Sequence, residues 1–82
     1  MKLSIDISMY PLQKDYGPAI LDFIARLESH HPTLTIRKNT LSTQVFGDYD
    51  VLMDILKNEI KTTFEALDTT VIVMKLVNED LV

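Results

Sequence analysis

The 82-residue chain contains no cysteine. Disulfides, thiol nucleophiles and Cys-based metal sites are therefore excluded. Positive charge is scarce: 8 Lys and Arg stand against 12 Asp and Glu, a net charge of −4. A phosphate backbone needs a clustered basic surface, so nucleic acid is not an expected partner. Long apolar runs are missing too. Met1-Lys2-Leu3-Ser4 passes straight into polar–apolar alternation, without the continuous apolar stretch of a signal peptide. No segment reaches transmembrane length, so no membrane insertion is expected and the chain reads as cytoplasmic. There is no linker or low-complexity tract.

What is present suits one small domain spanning 1–82. Hydrophobic residues make up 46% and recur along the whole chain, which argues against disorder. A chain of this size buries only roughly 60–65% of its unfolded surface, so association would add stability.

Residues 2–10 alternate strictly. Leu3, Ile5, Ile7 and Met9 fall on one side; Ser4, Asp6, Ser8 and Tyr10 fall on the other, the period of a half-buried strand. Pro11 lacks a ladder donor and is expected to end it. Asp15-Tyr16-Gly17-Pro18 marks a helix start, with Asp15 or a neighbour as cap and Pro18 in the first turn. Ile20, Phe23, Ile24 and Leu27 form an apolar helical stripe that Leu21 broadens, and Pro32 stops the helix.

Residues 33–38 predict a second strand, Asn39-Thr40 a turn, and residues 41–46 a third strand. In that third strand Leu41, Thr43 and Val45 share one face, and Ser42, Gln44 and Phe46 the other. Gly47 ends it, and Asp48 or Asp50 caps a second helix with Leu52, Ile55, Leu56, Ile60 and Phe64 on one stripe. Lys57, Lys61 and Glu65 make the opposite, solvated face. Residues 70–77 are apolar at nearly every position, the pattern of a strand covered on both faces, part of the cover coming from a second subunit.

The order βαββαβ with right-handed crossovers predicts an α+β, ferredoxin-like sandwich: a four-stranded antiparallel sheet with two helices on one face. Strands one and three are then central neighbours. Ser4, Asp6, Ser8, Tyr10, Ser42 and Gln44 would share the sheet face away from the helices, with Phe46 and half of the last strand adding apolar area. An open, partly apolar face marks an interface or a ligand groove. Thr43 faces the helices by phasing; it is a core threonine unless a pocket opens between sheet and helices.

The known uses of this fold are tested by site. RNA-recognition domains stack bases on central-strand aromatics, and here those strands carry one Tyr and one Phe on an acidic chain. Metal chaperones of this shape need a Cys pair. Acylphosphatase-type catalysis needs an Arg in a phosphate-cradling loop, and Pro11-Leu12-Gln13-Lys14 has neither Arg nor Gly. His30-His31 reads as a cationic helix C-terminus, since neighbouring helical residues diverge too widely to chelate one ion. No nucleophile–base or metal constellation is visible, so no enzyme and no bound cofactor are expected.

Two segments carry a family resemblance. Asp6-Ile7-Ser8-Met9-Tyr10-Pro11-Leu12 and Ser42-Thr43-Gln44-Val45-Phe46-Gly47 resemble the "S-x-Y-P" and "S-T-x-V-x-G" motifs of the small thiamine-binding, YkoF-like proteins. Val71-Ile72-Val73-Met74-Lys75-Leu76 is similar to their last strand, and the resemblance runs the full 82 residues. It implies a domain that assembles through its sheet into homodimers or homotetramers. It also implies non-catalytic binding of thiamine or its hydroxymethylpyrimidine part. By position it assigns Ser8, Tyr10, Ser42 and Thr43 to ligand binding; strand phasing adds Asp6 and Gln44. The chemistry agrees: an aminopyrimidine presents a donor–acceptor edge to Gln, Ser and Thr, and a thiazolium cation suits Asp6 and Tyr10. The alternative is a structural or regulatory homo-oligomer whose sheet face serves only subunit packing.

Overall fold

A computed structural model describes all residues 1–82. The elements run β1 (Lys2–Pro11), α1 (Gly17–Glu28), β2 (Thr35–Lys38), β3 (Thr43–Asp48), α2 (Tyr49–Ala66) and β4 (Thr70–Val77). The sheet order is β2-β3-β1-β4 and every pair is antiparallel. Two helices cover one face, so the chain has the expected α+β, ferredoxin-like architecture.

The core follows the two hydrophobic periods. Leu3, Ile5 and Ile7 of β1 and Val45 of β3 point at Phe23 and Leu27 of α1 and at Leu52 and Leu56 of α2. Leu34, just before β2, is fully buried among them. Burying such a side chain contributes about 1.5–3 kcal/mol. Lys57, Lys61 and Glu65 lie on the exposed side of α2, as their spacing predicts.

β1 does end at Pro11, though Pro11 still pairs with Thr70 and Leu12 N–H donates to Thr69 O at 3.0 Å just past the strand end. Several local expectations are corrected. β2 begins two residues later than expected, and β3 runs from Thr43 to Asp48 instead of 41–46. Leu41 is left in a turn, 89% exposed. Gly47 sits inside β3 opposite Leu3, and a Cβ there would meet Leu34 Cδ2 at 2.8 Å. A glycine at this position leaves the space that Leu34 fills. Leu21 lies outside the apolar stripe of α1, 68% exposed, and α1 stops at Glu28, well before Pro32. Neither helix has a side-chain cap; Tyr16 and Asp48 hold the N-cap positions.

The last strand is covered on one face only. Ile72 and Met74 pack against the core, while Val71, Val73 and Val77 on the open face are exposed. β4 is an edge strand, so its outer backbone edge is also unpaired.

Candidate functional site

β3 begins at Thr43, opposite Ile7, whereas β1 continues four residues further to Pro11. This mismatch leaves a gap at one end of the sheet. The turn 39–42, closed by Asn39 N–H on Ser42 O at 2.9 Å, passes over it, and α1 lies beneath. The result is a cleft of about 130 Å³. Its wall is apolar, built by Ile7, Met9, Ile20, Phe23 and Ile24. Its polar groups come from Ser8, Ser42, Thr43, Asn39 and Thr40. Few polar groups on an apolar wall is the usual make-up of a ligand site. The volume suits a single heterocycle and falls below the roughly 300 Å³ of larger ligand pockets.

Thr43 is buried and enters the cleft from the helix side of the sheet. Ser8 Oγ donates to Leu41 O at 3.4 Å, too long for a strong bond, so this hydroxyl is readily recruited. Ser42 Oγ donates to Asp6 Oδ1 at 2.6 Å and ties the turn to β1. Phase could not have found Asn39 and Thr40, which lie outside any periodic element; their turn signal was the only pointer.

Asp6 and Gln44 line a different cavity, about 370 Å³, on the open face of the sheet. Register places Arg37, Gln44, Asp6 and Lys75 side by side across β2, β3, β1 and β4. The Arg37 guanidinium sits 5.2 Å from the Phe46 ring centroid. Residues 78–82 fold back over this face. Ser4 Oγ donates to Glu79 O at 2.6 Å and accepts from Leu81 N–H at 2.9 Å, so Ser4 is buried and committed to the tail. Tyr10 stands on the same face, 54% exposed, and lines neither cavity. Of the six predicted site residues, the structure thus gathers Ser8, Ser42 and Thr43 at the cleft and Asp6 and Gln44 on the open face. Tyr10 stands apart.

One polar cluster escaped prediction. Glu59 of α2 accepts from Arg26 Nε at 3.1 Å and lies 2.8 Å from His30 Nε2. Arg26 also reaches Asp22 and Thr63. His30, just past the C-terminus of α1, thus also bridges to α2, a partner that the sequence analysis does not anticipate. Its bond, and then Arg26, hold the Glu59 carboxyl below the usual range against the opposing effect of burial. The cluster clamps α1 to α2. No three His, Asp or Glu side chains converge to hold a metal ion.

No family model and no curated protein matches the chain. Solved structures do. A Streptococcus pneumoniae protein of unstated function superposes with a TM-score of 0.86 at 25% identity, over 99% of this chain and 90% of its own. A proposed thiamine biosynthesis/salvage protein from Thermotoga maritima gives 0.84 at 17% identity, over 96% and 85%. A hypothetical protein from Methanocaldococcus jannascii gives 0.78 at 21%, over 98% and 82%. At such identities the shared property is the fold. No helix is long and apolar enough to cross a membrane.

Proposed function

We propose that this protein binds thiamine or its hydroxymethylpyrimidine part, without catalysis, in the cleft between α1 and the end of the β1–β3 ladder. The observation that carries this reading is the convergence of Ser8, Ser42 and Thr43 on an apolar cleft sized for one heterocyclic ring. These are three of the four residues that the motif resemblance assigns. The thiamine-related name of the Thermotoga neighbour supports it at the level of fold. No resident cofactor is part of the proposal. Its test is thermal unfolding with millimolar thiamine, hydroxymethylpyrimidine and thiamine phosphate. A ligand that binds only the folded state raises Tm by several degrees at saturation. No shift with any of the three overturns it.

A second reading rests on the open face. Val71, Val73 and Val77 are exposed beside an unpaired β4 edge. Apolar edge strands left uncovered invite pairing or packing. We propose that the sheet assembles homo-oligomers, as dimers or tetramers. If thiamine-like ligands fail, this packing becomes the protein's role.

A further inference from the structure

The two ladders of β1 fix which way each of its backbone groups points. Tyr49 N–H donates to Met1 O at 2.9 Å, and Leu12 N–H donates to Thr69 O at 3.0 Å. The first bond continues the β1–β3 register and the second continues the β1–β4 register. In an antiparallel pair, directly opposed residues exchange both bonds at every second position. Odd residues of β1 therefore bond to β3 and even residues to β4. Ile7 is the last odd residue with a partner, Thr43. The next rung would join Met9 to Leu41. That rung does not form: Leu41 has turned out to solvent, and its carbonyl faces the Ser8 hydroxyl instead.

Met9 is left with an N–H and a C=O that both point into the gap, and Met9 lines the cleft. Backbone polar groups strongly require partners. At the following odd position Pro11 has no N–H, so the free edge offers a single donor and cannot extend as a full ladder. It fits a short, flat ligand better than an added strand.

We infer that the Met9 main chain is the recognition edge of the cleft, pairing with a flat heterocycle that presents a hydrogen-bond acceptor beside a donor. The ligand acts as a one-rung extension of the sheet, the small-molecule analogue of strand addition. Resting on the ligand reading above, this assigns the amino group and adjacent ring nitrogen of the aminopyrimidine to Met9 O and Met9 N–H. The serine and threonine hydroxyls then hold the ring's remaining polar positions.

The test is amide exchange by NMR on the full chain, free and saturated with 4-amino-5-hydroxymethyl-2-methylpyrimidine. In the free protein, the Met9 amide exchanges on the order of a hundredfold faster than that of Ile7. Saturation slows it at least tenfold and moves its proton signal downfield, and the analogue lacking the 4-amino group binds roughly tenfold more weakly. A Met9 amide as protected as Ile7 in the free protein overturns the inference. So does a ligand that shifts Ser8, Ser42 and Thr43 while leaving Met9 exchange unchanged; that outcome leaves the ligand reading standing. If neither pyrimidine shifts any cleft signal, both fall.

Discussion

Ser42 donates its hydroxyl to the Asp6 carboxylate across 2.6 Å, one residue beyond the last rung of the β1–β3 ladder. The bond anchors the turn 39–42 at the point where β3 leaves the sheet. It takes up one oxygen of Asp6, Oδ1. Removing the hydroxyl leaves a part-buried carboxylate oxygen without this donor. Ser42→Ala is expected to cost about 1–2 kcal/mol in urea unfolding and to weaken ligand binding by loosening the turn. Unchanged stability would show that the bond does not hold the turn.

Thr43 is buried where β3 meets the cleft. Thr43→Val keeps its shape and removes only the hydroxyl. Combined with Ser8→Ala, it is expected to leave far-UV circular dichroism unchanged and to weaken hydroxymethylpyrimidine binding roughly tenfold by calorimetry. Unaltered affinity in that double variant would remove both hydroxyls from the site.

Gly47 gives Leu34 its place. With only 2.8 Å between an added Cβ and Leu34 Cδ2, Gly47→Ala forces a fully buried side chain to move. Overpacking of this kind costs about 1–3 kcal/mol, offset by about 0.4–1 kcal/mol from a less flexible unfolded chain. A net fall in stability is expected by chemical denaturation, and Leu34→Ala in the same chain should relieve the clash while opening a cavity.

Glu59 makes stability depend on acid. Its folded-state carboxyl is held low, chiefly by His30 and then by Arg26, so its contribution is fully present above the unfolded carboxylate range. The contribution is lost as pH falls through the depressed folded value. Between about pH 5 and pH 3, the Tm of the native protein should therefore fall more steeply than that of Glu59→Gln. Parallel curves would mean the carboxylate gains nothing from the clamp.

The exposed valines test assembly. Val73→Lys places a second charge next to Lys75 among the exposed valines of the open face of β4. Sedimentation is expected to show a smaller particle than the native chain, with helix and strand content retained. A native chain that sediments as a monomer would end the oligomer proposal.

The order of elements and most of the core were legible in the chain because both rest on local periodicity. A period of two puts Leu3, Ile5 and Ile7 on one face of a strand, and a period near 3.6 puts Phe23 and Leu27 or Leu52 and Leu56 on one face of a helix. Strands and helices with these faces have few ways to bury them together. The tertiary structure decided what depends on pairing between distant segments. Ser4 alternates like a ligand residue, yet its hydroxyl is consumed by Glu79 and Leu81, more than seventy positions away. His30 reads as a helix end, and only the packing of α2 brings Glu59 to it. The start of β3 at Thr43 divides the predicted site between two cavities and leaves Met9 without its rung. Alternation sets which face a side chain takes; only the register of neighbouring strands sets where a ladder stops, and here that stop makes the cleft.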